Sequence, residues 1–442
     1  MSFSRTLAFA LGLILFLFAL LALGRAQQLP DLDRERDQQM LRTVGDDVLK
    51  HYYDPKFHGL DFKAELAAAK QRIDKATSNN MALSSIAAAL DSLNDSHTFF
   101  LPPRHPIRHE YGWQYQMVGD HCFVTHVRPK SDAEAKGLKP GDEVLAINGI
   151  APARDMVWKL QYLFGVLRPQ LSLHLDLQDP AGKRRTLDVA ARIRETKLVT
   201  DWTGAGGAVD IFDIIRDEES QEHLMRARYA ESGDALLVLK VPEFYFSTLE
   251  VREMMDKASK HKALIIDLRG NPGGSVETLQ YFAGDVFDKD VKIADRVGRK
   301  ETKPQVAKGS SHPFTGKLVV LIDNDSASAA EVFARLMQIE KRGTVVGDRS
   351  SGSVMESRYY GEQTGSSTQV FFGVSITDAD LIMTDGKSLE HVGVTPDELI
   401  LPTAADLASG RDPVLARAAE LLGVKMSPED AGKLFPYEWP EQ

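Results

Sequence analysis

The sequence is poor in cysteine and has no excess of basic residues. Cys122 is the only cysteine among 442 residues, so no disulfide can form within the chain and packing must hold its domains together. This cysteine lies in an apolar stretch, and we assign it no role. The formal net charge is −10 and no basic stripe is present, which argues against nucleic acid as a partner.

The histidines form no pattern that is typical of a metal site. His105 and His109 have the spacing of two ligands on one helix face, but Pro106 between them disfavours a helix. His121 and His126 are separated by an odd number of positions and cannot share one face of a strand. We therefore expect no metal and no cofactor.

The N-terminal segment has the pattern of a targeting signal. Arg5 precedes an apolar run from Leu7 to Leu23, and residues 24–26, Gly-Arg-Ala, place small residues where a signal peptidase would cut. Residues 1–26 are therefore predicted to be a signal peptide. An uncleaved membrane anchor at residues 7–23 is the alternative, at the lower limit of length for a span. Both interpretations predict export to the periplasm or the extracellular space, with membrane contact only through this segment.

Composition and periodicity divide the remaining chain into five parts. They are an N-terminal helical domain, a β-rich domain, a connector, a core in which strands alternate with helices, and a C-terminal helical segment. We place them at residues 27–105, 106–195, 196–233, 234–404 and 405–442. Within the connector, the charged stretch from Arg216 to Ala230 predicts a helix.

A serine is predicted to stand at the start of a helix in the core. A short apolar run at 318–322 is followed by a polar turn, and then by apolar residues at helical spacing. Ser328 would lie at the helix N-terminus, where free amide groups and the positive end of the dipole could serve a nucleophile and an oxyanion. Ser328 and Glu331 also form a capping box, a purely structural interpretation that these residues alone would favour.

Two other stretches could supply a base and oxyanion donors. His97 lies between Ser96 and a threonine after a predicted helix, and is either a general base or a solvated loop histidine. Gly273 and Gly274 follow a buried strand, where adjacent glycines let the backbone approach a ligand with exposed N–H groups. An ordinary strand-to-helix turn explains these glycines as well.

The run from Ala133 to Gly149 strongly resembles part of a PDZ domain. That resemblance implies a groove beside the helix predicted at 155–164, where a peptide's C-terminal segment adds as a strand. Tyr111, Gly112 and Trp113 lie where the carboxylate-binding turn of the groove is expected, although they depart from the usual Gly-Leu-Gly.

The whole pattern resembles the tail-specific, or C-terminal processing, serine peptidases. Five motifs carry this resemblance in the right order, and they lie at residues 93–98, 133–149, 267–274, 326–331 and 390–397. The resemblance implies an α/β multidomain chain. It would comprise an N-terminal helical segment, a PDZ-like β-rich domain and a ββα-spiral peptidase core of the crotonase or ClpP type.

One departure bears on the mechanism. Well-known members use a Ser–Lys dyad, but Ser353 occupies the lysine slot, and no lysine lies between Lys341 and Lys387. The chain is more similar to the branch of tricorn-core-like proteases that use serine, histidine and glutamate.

Similarity to this branch implies a catalytic triad of Ser328, His97 and Glu390. Ser96 would support the histidine. The oxyanion donors would be the N–H group of Ala329 and one from Gly273 or Gly274.

The expected function is that of an exported serine endopeptidase. It would cleave proteins or peptides near accessible C-termini, assisted by the PDZ domain. The missing lysine motivates the alternative, a catalytically degenerate homologue that binds peptides or an apolar ligand.

Overall fold

The computed structural model describes residues 29–105, 107–195, 224–300, 302–365 and 369–440. The predicted signal peptide and most of the connector lie outside these residues. Within the described residues, no helix is both long and apolar enough to cross a bilayer.

Three α-helices form most of the N-terminal part that the structure describes. They are α1 (Asp31–His51), α2 (Phe62–Asp74) and α3 (Asn79–Asp91), and the side chains of Asp61 and Ser78 cap α2 and α3 by accepting backbone N–H groups. A loop leads from α3 to the short strand β1 (Phe99–Leu101). Ser96 and His97 lie on this loop, so the helix and the strand hold both of its ends.

The β-rich domain is an antiparallel sheet whose five strands follow one another in chain order. They are β3 (Trp113–Val118), β4 (His121–Val127), β5 (Glu143–Ile147), β6 (Ser172–Gln178) and β7 (Arg184–Ala190). Two short helices pack with them, α4 (Asp132–Ala135) and α5 (Val157–Tyr162), the latter continued by a π-helical turn at Leu163–Leu167. A separate ribbon pairs β2 (Ile107–Glu110) with β8 (Arg192–Glu195). β3 is an edge strand of the five-stranded sheet, as a peptide groove requires.

The core contains a six-stranded sheet in the order β18-β15-β14-β11-β10-β9, in which only β9 runs antiparallel to its neighbour. The strands are β9 (Arg228–Ser232), β10 (Leu236–Lys240), β11 (Ala263–Asp267), β14 (Lys317–Ile322), β15 (Thr344–Gly347) and β18 (Glu398–Leu399). Alternate residues of β10, β11 and β14 face opposite layers, and both faces are buried.

Helices cover both faces of this sheet. One face packs against α6 (Thr248–Ala258), α7 (Val276–Gly284) and α8 (Ala329–Ile339). The other packs against α10 (Pro413–Leu421) and α11 (Pro428–Ala431), which follow α9 (Ala404–Ser409).

A second sheet joins the N-terminal helices to the core. It pairs β1 with β17 (Val370–Met383), β17 with β12 (Val291–Gly298) and β16 (Met355–Thr364), and β12 with β13 (Gln305–Ala307). One end of β17 packs among the N-terminal helices through Val374, and its other end packs into the core through Met383. This strand therefore brings the loop that carries His97 to the core.

The predicted α/β class, with an N-terminal helical part, a β-rich domain and a core in which strands alternate with helices, is confirmed. One local prediction, the charged helix from Arg216 to Ala230, is only partly described: residues 224 and 225 are helical, but the prediction is wrong from Arg228 on, where the strand β9 begins. Tyr229 pairs with Leu239 at the sheet edge, and this pairing outweighs the local helical preference of a charged stretch.

Candidate active site

Ser328 occupies the turn between β14 and α8 in a strained conformation. It is the N-cap of α8, with φ 54° and ψ −119°. Such a conformation costs a non-glycine residue about 1–3 kcal/mol and persists only where its surroundings impose it. The Ser328 N–H group donates to the Ser353 carbonyl at 2.8 Å and to Glu331 Oε2 at 3.0 Å.

The buried carboxylate of Glu331 fixes this turn by accepting hydrogen bonds. Its side chain is fully buried, and Oε2 also accepts the Ser353 N–H group, while Oε1 accepts Ser350 Oγ at 2.6 Å and the Gly352 N–H group at 2.8 Å. Burial raises the pKa of Glu331 to about 7, against the lowering effect of these donors. The residue that the sequence presented as a capping partner thus joins the Ser328 turn to the 350–353 loop.

The imidazole of His97 reaches Ser328 across 231 positions of sequence. His97 Nε2 lies 3.2 Å from Ser328 Oγ. Asp95 Oδ1 accepts the N–H groups of His97 and Thr98 and so shapes the loop around the ring. Burial lowers the pKa of His97, and the charge of Asp95 partly opposes this.

Glu390 does not contact His97 directly. Ser96 Oγ lies 2.8 Å from His97 Nδ1 and 2.8 Å from Glu390 Oε2. The Ser96 N–H group donates to Glu390 Oε1, and the Val354 N–H group donates to Oε2, each at 2.8 Å. Burial raises the pKa of Glu390, and these hydrogen bonds act against the rise.

This chain of hydrogen bonds has one consistent arrangement of protons when Glu390 is ionised. A carboxylate only accepts, so Ser96 must donate its single hydroxyl proton to Glu390. The hydroxyl oxygen is then free to accept from His97 Nδ1, which must carry a hydrogen. His97 Nε2 is left bare and faces the hydroxyl of Ser328, as a general base requires.

Gly273 and Gly274 lie beside the serine turn, but their amide groups differ. A Cβ atom on Gly273 would stand 2.6 Å from Ser328 Cβ, so only glycine fits there. The Gly273 N–H group already donates to Oδ1 of the buried Asn271 at 2.8 Å. Gly274 lies in the cleft that Ser328 faces, and the Ala329 N–H group stands at the first position of α8, where no intrahelical partner is possible.

Ser353, in the slot of the absent lysine, contacts Ser328 only through its backbone. Its hydroxyl pairs with Ser351 Oγ at 2.8 Å, while its carbonyl accepts the Ser328 N–H group. Ser353 therefore helps to position the backbone of Ser328. Among the described residues, the nitrogen that lies within hydrogen-bonding distance of Ser328 Oγ is His97 Nε2.

A cleft of about 530 Å³ opens in front of Ser328. Most of its wall is apolar or aromatic, from Phe99, Leu101, Tyr245, Leu279, Val332, Met355, Tyr359 and Leu381. At one side Gln305 Nε2 donates to Glu356 Oε2 at 2.9 Å, and Arg296 Nε donates to the same oxygen at 2.7 Å. Such a cleft suits an extended polypeptide with apolar side chains.

The three residues predicted for the PDZ turn lie together at a second cavity of about 380 Å³, which also contacts Phe164 after α5. Gly112 has φ +73°, and a Cβ atom there would stand 2.6 Å from Ser131 Cβ. The Tyr111 hydroxyl donates to the Gln170 carbonyl at 2.9 Å, so this side chain braces the turn. Trp113 is buried in the domain core.

Sequence reasoning missed two positioning residues. Asp95 stands two positions before His97, a spacing typical of an Asx turn, and that signal could have identified it. Asn271 holds Gly273 through Oδ1 and the Val241 carbonyl through Nδ2, at 2.9 Å. The bond to Gly273 has the same two-residue spacing and could have been found, whereas the bond to Val241 joins segments 30 positions apart and local pattern could not reveal it.

Comparisons with known proteins agree with this architecture. Residues 235–400 match the sequence profile of Peptidase family S41, and residues 103–157 match that of the PDZ domain. The core therefore contains a region similar to peptidase family S41, and the β-rich domain contains a region similar to the PDZ domain.

The curated relatives it matches are processing proteases. The chain is 26% identical to the tail-specific protease of Haemophilus influenzae over 283 residues, which covers 60% of this chain and 38% of that protein. It is 24% identical to the carboxy-terminal processing protease CtpB of Bacillus subtilis over 308 residues, covering 66% and 58%. The chain thus spans less than two thirds of the length of these two relatives.

A solved structure shares the fold. Mature CPAF complexed with lactacystin superimposes with a TM-score of 0.62 at 17% sequence identity, covering 86% of this chain and 96% of that one.

Proposed function

We propose that this chain is a serine endopeptidase that cleaves proteins or peptides near accessible C-termini, with Ser328 as nucleophile and His97 as base. The observation that carries the proposal is the 3.2 Å separation between His97 Nε2 and Ser328 Oγ, at a strained helix N-terminus inside a cleft. The match of residues 235–400 to peptidase family S41 supports the same reaction class, and export, which the N-terminal pattern predicts, is part of the proposal.

The first half of the reaction forms an acyl-enzyme. His97 Nε2 accepts the Ser328 hydroxyl proton as Oγ attacks the substrate carbonyl carbon. Charge that develops on the carbonyl oxygen is stabilised by the N–H groups of Ala329 and Gly274. Gly273, whose N–H group is bonded to Asn271, instead permits the close backbone approach. The proton on Nε2 then passes to the leaving amine as the peptide bond breaks.

The second half regenerates the serine. Water attacks the ester carbonyl, its proton passes to His97, and the acyl group leaves as a carboxylic acid while Ser328 recovers its proton. Glu390 acts through Ser96 in both halves, because the relay keeps the hydrogen on Nδ1 and stabilises the imidazolium.

A serine-directed probe and a protein substrate test the proposal together. The wild-type chain should react with a fluorophosphonate and degrade an unfolded protein such as reduced casein. Ser328→Ala should abolish both signals without changing the thermal melting curve.

Ser353→Ala is the matched control, because it removes a neighbouring cleft hydroxyl that does not contact Ser328 Oγ. It should retain labelling and most of the turnover. Equal labelling of wild type and Ser328→Ala would contradict the assigned nucleophile. No labelling of the wild type, with or without added peptide, would favour a binding protein with a degenerate site.

A further inference from the structure

The segment 436–440, which we call the strap, crosses from the core to the PDZ domain. Tyr437 stacks on His126 of β4, with ring centroids 4.0 Å apart. At the core end, Arg228 donates to the Pro436 carbonyl at 2.8 Å and pairs with Glu438 at 3.3 Å. The strap is therefore attached to the core through Pro436 and Glu438 and to the PDZ domain through Tyr437.

Arg128 is the point where the strap meets the peptide-binding turn. Its backbone N–H group donates to the Gly112 carbonyl at 2.8 Å, so it directly adjoins the turn expected to bind a carboxylate. Its guanidinium group donates to the Pro440 carbonyl and lies 5.5 Å from the ring centroid of Trp439. The side chain is only 12% exposed, because the strap and Glu110 cover it.

The strap also narrows the groove itself. Trp439 and Pro440 form part of the wall of the 380 Å³ cavity that contains Tyr111, Gly112 and Trp113. A peptide that adds along the open edge of β3 would place its terminal carboxylate at this end of the groove. Arg108 and Arg128 both line this cavity, and Arg128, whose backbone adjoins the turn, already donates to the strap.

We propose that the strap is an intramolecular cover of the PDZ groove, which the free C-terminal segment of a peptide must displace to reach Arg128 and the Tyr111–Trp113 turn. This inference rests on the proposed function, because the peptide it concerns is the substrate tail. It identifies the recognised group as a carboxylate and the competing ligand as the chain's own segment.

If the strap covers the groove most of the time, the same segment added as a separate peptide must bind the empty groove with a minimum affinity. A tethered segment has an effective concentration on the order of 1 mM, so an occupancy of about 90% requires a dissociation constant near 0.1 mM or lower for the same segment added in trans. This value can be measured by calorimetry.

The first experiment uses the full chain with Ser328→Ala, so that added peptide is not consumed. A released variant adds Tyr437→Ala, Glu438→Arg and Trp439→Ala, and Lys433→Ala is the control outside the strap. A synthetic peptide of residues 431–440 should bind the released variant with a Kd of about 0.1 mM or lower. The peptide should bind at least 10-fold more weakly to the Ser328→Ala protein with an unmodified strap and to the Lys433→Ala control. Equal binding to all three, or no binding to the released variant at 1 mM peptide, would overturn the proposal.

The second experiment measures casein turnover with Ser328 intact. The released variant should lower KM by about 5-fold with little change in kcat. A higher KM would show that the strap is part of the peptide-binding surface and would overturn the proposal that the strap covers the groove. If the triple variant does not fold, Glu438→Arg alone reverses the pairing with Arg228 and should shift KM in the same direction. Failure of the proposed catalysis would instead appear as no Ser328-dependent turnover in any variant, while the binding experiment would remain interpretable.

Discussion

Glu390 and His97 are joined through a single hydroxyl group and not by direct contact. Ser96 Oγ stands 2.8 Å from each of them, so the carboxylate controls the imidazole through one intervening proton. Whether His97 Nε2 is bare therefore depends on which way the Ser96 hydroxyl points.

Glu390→Gln should lower kcat strongly. Every group bonded to this carboxylate is a donor, and the amide nitrogen of glutamine cannot accept from them. If the amide nitrogen faces Ser96, the hydroxyl turns toward His97 Nδ1 and the ring hydrogen moves to Nε2, the wrong tautomer for a base. We expect kcat to fall by about 10²–10⁴-fold with little change in KM, measured on a peptide substrate.

Ser96→Ala is the companion variant, because it removes the bridge and leaves the carboxylate in place. It should also lower kcat, and the double variant should be little worse than either single one, since the two groups act as one unit. Independent, additive losses would argue against the relay.

The pH dependence of kcat/KM follows from the state of His97. Burial lowers its pKa below the ordinary value of 6.5, and the base acts only when neutral. The rate should therefore rise from acid conditions with a midpoint below pH 6.5. The same shift reduces stability in acid, because the unfolded chain takes up a proton that the buried ring resists. A midpoint above pH 8.5 would exclude His97 and favour a lysine base.

Gly273→Ala should inactivate the site. The new Cβ atom would stand 2.6 Å from Ser328 Cβ and 2.9 Å from the Ala327 carbonyl oxygen, and the backbone has φ +99°. Moving the nucleophile by about 1 Å is enough to cost on the order of 10²-fold in kcat/KM.

Gly270→Ala is the matched control for this substitution. Gly270 also has positive φ, +74°, but a Cβ atom there meets nothing within 4 Å. It should cost only about 1–2 kcal/mol of stability from backbone strain and leave most of the activity. If the two variants lose activity equally, close contact with Ser328 is not the cause.

Glu331→Gln should destabilise the protein and disturb the site together. Both carboxylate oxygens accept from donors only, so an amide nitrogen at either position would face N–H or O–H groups. We expect a loss of about 2–4 kcal/mol in the free energy of unfolding, measured by urea denaturation, with reduced turnover. Glu277→Gln, at an exposed first-turn position of α7, should change stability by about 0.5 kcal/mol or less.

Local pattern predicted much of the fold because the periodicity of apolar residues within a short window indicates a strand or a helix. The run before Ser328 and the apolar spacing after it predicted the strand β14, the turn and the helix α8. The strand β9 was misread as helix because an edge strand depends on its partner, β10, more than on its own residues.

The sequence by itself predicted the reaction class and the residue types of the candidate site. A serine at a helix start, a histidine between a serine and a threonine, and a glycine pair after a buried strand are local features of neighbouring residues. Tertiary structure alone decided how they meet: β17 carries the His97 loop to Ser328, and Ser96 stands between His97 and Glu390. The reason is physical. Hydrogen bonds between residues hundreds of positions apart form only once strand pairing and core packing have set the distances. The periodicity of the sequence does not predict such bonds.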